Sequence, residues 1–242
     1  AAMNSLEILD IKKNYYNKTS FFAEGFMYMH HPQIKKIIEL LNKEKIGKLT
    51  SMKSYFGKDI LSKKNFFGFK RKKKLNKKSR LFDKRLGGGA ILDLGCYPVS
   101  FSVLVASLIS KINFDKIEIS NIQKEIGDTG VELDAYAELD FKNNFKSTVA
   151  ASFTKDLGNK TEIIGTKGKI ILESSWHGHP SEINVVGQEN QSIKFTTNDN
   201  IFFYEIENLS QCILDGKNKT DLPDWCIDKI LGNSKILDKW LS

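Results

Sequence analysis

A period-two alternation of apolar and polar residues near the middle of the chain constrains the fold more than any other feature. Apolar and polar side chains alternate over residues 131–140, and the same alternation resumes over residues 145–153. Lys142, Asn143 and Asn144 lie between the two runs and are typical of a hairpin turn. Because successive side chains of a strand point to opposite faces, these residues predict an antiparallel pair with one apolar and one polar face.

Further strands are predicted on both sides of this hairpin. Their positions are residues 49–56, 117–126, 161–165, 169–173, 182–186 and 192–196. A short apolar run at residues 21–26 predicts one more, buried strand. Hairpins rather than helical crossovers are expected to connect the strands of the second half, so the sheet should be largely antiparallel.

Helices are predicted near both ends of the chain and before the hairpin. Asn4 and Glu7 form a capping-box pattern at the start of the first helix. Pro32 opens a second helix, in which apolar residues recur at i, i+3, i+4 and i+7. The other helices are expected after Asp93 as far as about Ile109, through Phe202, Ile206, Leu209 and Ile213 on one face, and from about Pro223 to Leu241. The fold class indicated is α+β, with one large, mainly antiparallel open sheet and helices on one of its faces.

The net charge of +8 is concentrated in one segment of the chain. Residues 63–85 contain twelve lysines and arginines against one acid, Asp83, so this segment carries +11 and the remainder carries −3. The segment can be a solvated loop, or it can contact a phosphate on a cofactor or substrate. Nucleic-acid binding is the third interpretation, but no aromatic–basic interleaving or recognisable nucleic-acid module supports it. We therefore predict no nucleic-acid partner.

The apolar and cysteine patterns bear on location and metal binding. The longest apolar stretch, Val99–Ile109, is interrupted by serines and is far shorter than the ~20 residues that a membrane span requires. We predict no membrane partner. The three cysteines are odd in number and widely spaced, which favours a reduced, cytoplasmic protein. His177 and His179 flank Gly178 without a third ligand nearby, so no metal site is predicted.

Three stretches resemble the glucose–fructose oxidoreductase/inositol dehydrogenase family, Gfo/Idh/MocA. Glu24–Pro32 is similar to the family's Glu-Ala-Phe-Met-Tyr-Arg-x-His-Pro segment, although Met29 stands where members often have arginine. Leu81–Val99 resembles the Gly-Gly-Gly-Ala-Leu-Leu-Asp-x-Gly-x-Tyr motif and its lead-in nearly residue for residue. Ile163–Ile170 resembles a Gly-Thr-x-Gly hairpin. The order and spacing of the three stretches match the family throughout.

The resemblance implies a division into two parts. Family members have an N-terminal Rossmann domain with a Gly-x-Gly-x-x-Gly loop and a catalytic lysine in a Glu-Lys-Pro motif. The opening residues, Ala1–Asn4, resemble those that follow Glu-Lys-Pro. Residues 1–28 are therefore expected to be the last helix and strand of that domain, and residues 29–242 the C-terminal substrate-binding and dimerisation domain. The cofactor implied is NAD or NADP in the complete protein, and we expect no tight dinucleotide binding by this chain alone.

Tyr97 and Asp93 are the candidate catalytic residues. Their spacing of four places them on one side of a helix. A tyrosine hydroxyl can donate a proton to a carbonyl oxygen during hydride transfer, or accept one from an alcohol. Its ordinary pKa of about 10 makes it a poor base unless a nearby cation lowers that pKa. The alternative interpretation is structural, with Asp93 capping the helix and Tyr97 packing in the core.

Five further residues enter the candidate site through the resemblance. The substrate-binding candidates are Tyr28, His31 and Arg80, and the cofactor-binding candidates are Glu24 and Gly88. His31 can instead cap or pack the helix that starts at Pro32. Gly88 lies in a three-glycine run, and a tight turn without a ligand accounts for that run equally well.

Two functions remain open on the sequence. The first is the substrate-side part of an NAD(P)-dependent oxidoreductase that acts on a sugar, nucleotide sugar or related polyol or diol. It would be active as the complete protein and inactive as this chain alone, and it would form a homo-oligomer through the polar sheet face. The alternative is a truncated, catalytically inactive binding or assembly module of the same fold. Upstream in-frame coding sequence containing Gly-x-Gly-x-x-Gly and ending in Glu-Lys-Pro would favour the first.

Overall fold

The computed structural model describes residues 2–14, 16, 21–64, 66, 69–73, 76–179, 181–197, 200–220 and 225–242. Its α-helices are α1 (Ser5–Asn14), α2 (Pro32–Asn42), α3 (Cys96–Ser107), α4 (Phe202–Leu214) and α5 (Ile227–Leu241). Its strands are β1 (Leu49–Gly57), β2 (Ser62–Lys64), β3 (Lys70–Lys72), β4 (Glu118–Ile126), β5 (Glu132–Asp140), β6 (Lys146–Ser152), β7 (Thr161–Gly165), β8 (Gly168–Leu172), β9 (Glu182–Gly187) and β10 (Gln191–Lys194).

Eight of these strands form one open sheet, in the order β10-β9-β8-β7-β1-β6-β5-β4, while β2 and β3 form a separate small hairpin. In the large sheet β1 and β6 run parallel, whereas the other neighbouring pairs are antiparallel. The predicted α+β class with a mainly antiparallel sheet is confirmed. The predicted hairpin is also confirmed, because Lys142 and Asn144 have positive φ angles of 57° and 65° between β5 and β6.

The core lies between one face of the sheet and the helices. Ala135, Ala137 and Leu139 of β5 are buried on this face, whereas Asp134 and Tyr136 are half-exposed on the other. Helix α3 contacts β1 and β6, and α5 packs against α3 and α1. Within the described residues one helical stretch, Lys84–Ser107, has the length and hydropathy of a membrane span, and 72% of its most apolar window is buried in the protein. That burial is typical of a core helix.

Local capping starts the first two helices as their sequences predict. The side-chain oxygen of Asn4 accepts a hydrogen bond from the Glu7 amide at 3.0 Å, and the Glu7 carboxylate accepts one from the Met3 amide at 2.9 Å. At α2, Pro32 occupies the first turn, and His31 Nδ1 accepts a hydrogen bond from the Gln33 amide at 3.3 Å. These contacts satisfy backbone donors that a helix start leaves without partners.

The strand predicted at residues 21–26 is wrong. The segment has no regular secondary structure and leads into a 3₁₀ turn, Met27–His30. A strand forms only with a neighbour that supplies its hydrogen bonds, and in the described chain residues 21–26 belong to neither sheet. The remnant assigned to residues 1–28 therefore contains its helix, α1, and not its strand, and the boundary after residue 28 stays a prediction. The last helix begins at Ile227, and Pro223, where its start was predicted, lies outside the described residues.

Candidate active site

A pocket of about 320 Å³ lies beside the start of α3, between that helix, α1, α5 and the segment before the 3₁₀ turn. Four of the predicted site residues line it: Glu24, Arg80, Asp93 and Tyr97. Other lining residues include Met3, Ile8, Gly25, Gly87, Cys96 and Leu237. The structure thus brings together the two catalytic candidates, one substrate-binding candidate and one cofactor-binding candidate.

The three-glycine run shapes the entrance to α3. Gly87 and Gly89 have φ angles of 69° and 110°, which residues with a side chain rarely adopt. A Cβ on Gly88 would lie 2.6 Å from the carbonyl oxygen of Arg80, so only glycine allows this close approach. The run therefore folds the chain back, which brings Arg80 close to the start of the helix. The tight-turn interpretation accounts for Gly88 fully, and its contact with a cofactor stays a prediction.

A π-helical turn, Ile91–Gly95, connects the glycines to α3. The structural alternative for Asp93 is wrong, because the residue lies inside this turn and its side chain caps nothing. Its carboxylate instead accepts a hydrogen bond from Arg80 Nη2 at 2.6 Å and forms an ion pair with it. Single π turns occur frequently at functional sites. Here the turn holds Asp93 on the pocket wall close to Tyr97.

Tyr97 is half-buried in a cluster of aromatic rings. The ring centroids of Phe26, Phe56 and Trp176 lie 5.6, 5.3 and 5.8 Å from its own. Its hydroxyl lies 3.7 Å from the Met27 sulfur, a weak acceptor. Burial raises the pKa of Tyr97 to about 12, with smaller contributions from the negative charges of nearby groups, including Asp93. The hydroxyl therefore remains protonated at neutral pH and acts as a donor.

A hydrogen bond fixes one further polar group of the wall, and burial alters another. The Glu24 carboxylate accepts a hydrogen bond from Trp225 Nε1 at 2.9 Å, which fixes it at the pocket. Burial raises the pKa of the Cys96 thiol well above its ordinary value. Because the thiolate is the nucleophilic form, Cys96 is an inert lining residue.

Sequence reasoning missed Glu205 in the first turn of α4. Among the described residues, its buried Oε1 has no hydrogen-bond partner, and it lies 3.3 Å from where a Cβ on Gly25 would be. Burial raises the pKa of this carboxyl group. No local pattern distinguishes Glu205 from the other acids of the helix, so only the tertiary structure reveals its position behind the pocket wall.

Tyr28 and His31 point away from the pocket. Tyr28 is fully buried, and its hydroxyl shares a 2.8 Å hydrogen bond with Ser100. His31 is 1% exposed, and its Nε2 lies 3.3 Å from the Ser181 hydroxyl while Nδ1 caps α2. Burial lowers the pKa of His31 to about 4. The capping interpretation of His31 fits these contacts, and substrate binding by either residue stays a prediction.

Metal ligands are not clustered in the part of the chain that the structure describes, where no three His, Cys, Asp or Glu side chains lie close enough to hold an ion. His177 packs edge-on against Phe56, with ring centroids 5.6 Å apart.

Comparison with known proteins finds relatives of this chain. The model of the GFO/IDH/MocA C-terminal domain matches residues 34–171. Trans-1,2-dihydrobenzene-1,2-diol dehydrogenase of Xenopus laevis is 28% identical over 228 residues, which cover 91% of this chain and 62% of the relative. The zebrafish (Danio rerio) enzyme of the same name is 25% identical, with 89% and 60% covered. The chain therefore spans about three-fifths of the length of these relatives.

Solved structures of low sequence identity share the fold. A 3-ketoreductase from Actinomadura kijaniata, in complex with NADP and TDP-benzene, superimposes with a TM-score of 0.76 at 17% identity, covering 98% of this chain and 66% of that one. An aldose–aldose oxidoreductase from Caulobacter crescentus superimposes with a TM-score of 0.73 at 16% identity, covering 99% and 66%. Because the C-terminal-domain model matches more than half of the chain, this protein belongs to the GFO/IDH/MocA family.

Proposed function

We propose that this chain is the substrate-side part of an NAD(P)-dependent oxidoreductase that acts on a CH–OH group of a sugar, nucleotide sugar or related polyol or diol. The observation that carries the proposal is the pocket at the start of α3, which a protonated Tyr97 shares with Asp93, Arg80 and Glu24. The relatives of similar sequence are dehydrogenases of a diol, which supports an oxidoreductase of this broad type.

Tyr97 supplies the proton in the proposed reaction. Its hydroxyl donates a hydrogen bond to the carbonyl oxygen of the substrate and transfers its proton as that oxygen becomes negative. When bound, the nicotinamide cofactor would supply the hydride for the carbonyl carbon. Because burial and nearby negative charge raise the pKa of Tyr97, the acid role suits this environment better than the base role.

Arg80 and Asp93 organise the wall beside Tyr97. The carboxylate of Asp93 holds Arg80 through one of the five N–H donors of its guanidinium group. The remaining donors are available to substrate oxygens, since the Arg80 side chain is 59% exposed. The pair therefore binds and orients the substrate while Tyr97 performs the proton transfer.

The pocket is small for a whole dinucleotide. A pocket of about 320 Å³ is at the lower end of the range for small-molecule sites. A pyrophosphate is normally held at a helix N-terminus by a glycine-rich turn after a strand, and the sequence contains no Gly-x-Gly-x-x-Gly pattern. We therefore propose that polypeptide beyond these 242 residues supplies the dinucleotide cradle in the complete protein.

We also propose that the protein forms homo-oligomers through the half-exposed sheet face and works in the cytoplasm. The first proposal is supported by the half-exposed polar residues of β5, and the second by three cysteines that are all free thiols.

The test of the function is NADH or NADPH oxidation with keto sugars and diketones by the chain joined to its in-frame upstream coding sequence. Activity that Tyr97→Phe lowers at least about 10²-fold would support the proposal. Upstream sequence without a dinucleotide-binding motif, and no oxidation of either cofactor, would favour the inactive binding or assembly module.

A further inference from the structure

The basic segment, residues 63–85, is the strongest charged feature that the proposed function leaves unexplained. It carries +11, while the rest of the chain carries −3, so the positive potential of the molecule is local to this segment. Solvated surface usually mixes both signs of charge, and twelve cations against one acid depart from that mixture. Concentrated charge of one sign beside a concave site attracts ligands of the opposite sign.

The chain path places the last part of this segment, residues 76–80, next to the pocket. The hairpin of β2 and β3 is closed by a hydrogen bond of 2.7 Å from the Lys73 amide to the Leu61 carbonyl. A turn at residues 76–79 then leads directly into Arg80, which lines the pocket. Because consecutive Cα atoms are about 3.8 Å apart, the Cα atoms of Lys78 and Lys77 lie within about 8 and 11 Å of the Arg80 Cα.

A further lysine lies close in the chain to two other lining residues. Lys84 lies in a 3₁₀ turn, Lys84–Leu86, directly before Gly87, and Leu86 and Gly87 both line the pocket. Lys77, Lys78 and Lys84 are exposed, and none of them forms an ion pair within the described chain. We call residues 77–85 the rim of the pocket. By contrast with its lysines, the two arginines of the rim form ion pairs, Arg80 with Asp93 and Arg85 with Asp83. The rim therefore presents lysine charges that the described acids do not neutralise.

From this arrangement we infer that the substrate of the pocket carries a phosphate or diphosphate group, which Lys77, Lys78 and Lys84 bind at the rim while its carbonyl or alcohol lies at Tyr97. The inference rests on the proposed function and narrows its substrate class. A small phosphorylated molecule fits better than a nucleic acid, because Lys77, Lys78 and Lys84 lie within a few residues of the lining residues Arg80, Leu86 and Gly87 of one pocket of about 320 Å³.

The test is calorimetric titration of the 242-residue chain with inorganic pyrophosphate and with uridine diphosphate. The titrations are run at about 50 and about 200 mM salt, because the higher concentration screens attraction between exposed charges more strongly. We expect both anions to bind, with weaker affinity at the higher salt, while glucose, an uncharged ligand, shows no salt dependence. Lys77→Glu/Lys78→Glu is expected to weaken diphosphate binding at least about tenfold, which corresponds to about 1.4 kcal/mol.

Lys111→Glu/Lys116→Glu is the matched control, because it makes the same change in net charge beyond the other end of α3. The twelve residues of that helix span about 18 Å. An equal loss of affinity in the control, no diphosphate binding, or equally tight binding of a single-stranded oligonucleotide would overturn the inference. In the active protein, turnover of neutral diols with no rate gain from a phosphate group would overturn it and leave the proposed function intact.

Discussion

The proposed role of Tyr97 as proton donor depends on its hydroxyl group alone. Tyr97→Phe keeps the ring, so its packing against Phe26, Phe56 and Trp176 should persist and the protein should fold. Loss of the hydroxyl should lower the turnover number of the active protein about 10²- to 10⁴-fold, the usual contribution of a general acid. Tyr136→Phe, which removes a hydroxyl bonded to Glu138 on the far sheet face, is the control. Equal turnover in the Tyr97 variant and the wild type would exclude Tyr97 from the reaction.

His31 is the residue that should make stability depend on pH. Its folded-state pKa of about 4 lies below the ordinary 6.5 because the ring is buried. The neutral ring therefore stabilises the fold fully above pH 6.5, and this stabilisation is lost as the pH falls through about 4. At about 1.36 kcal/mol per pKa unit, acidification from pH 7 to pH 4.5 should remove about 2–3 kcal/mol through this residue.

Urea unfolding of the wild type and His31→Asn at both pH values measures this effect. Asparagine can also cap α2 but does not titrate. The variant should therefore lose about 2–3 kcal/mol less stability on acidification than the wild type. Parallel losses in the two proteins would show that His31 is not the titrating group.

At the scale of elements, periodicity identifies a helix but does not tell which apolar face is buried. Ile37 in the predicted stripe of α2 is 1% exposed, whereas Ile206 in the predicted face of α4 is 63% exposed. Ile37→Ala should destabilise the protein by about 2–5 kcal/mol through loss of core packing. Ile206→Ala should change stability by no more than about 0.5 kcal/mol. Denaturant midpoints of the two variants compare them directly, and similar losses would mean that α4 is covered in solution.

The elements that sequence alone predicted well are those whose signal is local. The hairpin of β5 and β6 follows from alternation and from two turn residues with positive φ. Residues 21–26 misled because a short apolar run resembles a strand, whereas a strand also needs a partner elsewhere in the chain. The π turn at Ile91–Gly95 also escaped prediction, since no local pattern marks it; at its end Gly95 lies so close to Trp240 that a Cβ would be 2.8 Å from the indole ring.

The candidate site was also predictable only in part, because a motif does not show which side chains face the pocket. The family motifs singled out Asp93, Tyr97, Arg80 and Glu24, and all four line one pocket, while their roles stay predictions. They could not show that the Tyr28 side chain is directed into the core. That distinction requires the tertiary structure.

At the scale of the whole molecule, the chain should not bind a dinucleotide tightly by itself. Its pocket of about 320 Å³ is small for a dinucleotide, and the sequence contains no Gly-x-Gly-x-x-Gly cradle for the pyrophosphate. Titration of the 242-residue chain with NADH or NADPH should therefore give no heat of binding at about micromolar ligand. A dissociation constant of about 1 μM would correspond to a binding free energy of about −8 kcal/mol. A micromolar dissociation constant for either cofactor would contradict the division of labour proposed between this chain and the rest of the protein.

The half-exposed sheet face should pair two copies of the chain. Tyr55, Ala150 and Tyr136 are cross-strand neighbours at its centre, on β1, β6 and β5. Around them, Lys146 pairs with Asp140 and Lys169 with Glu162, so lysines interleave with acids. A symmetric contact between two such faces need not oppose like charges, and its polar rim should make it sensitive to salt.

Light scattering at moderate salt should therefore give about twice the chain mass of 27.5 kDa. Tyr55→Glu places a charge at the centre of the face and should shift the protein toward the monomer, because burying an unpaired carboxylate in the interface is unfavourable. Glu189→Lys, in the exposed turn between β9 and β10, should leave the mass unchanged. A mass near 27.5 kDa for the wild type at every concentration tested would exclude pairing through this face.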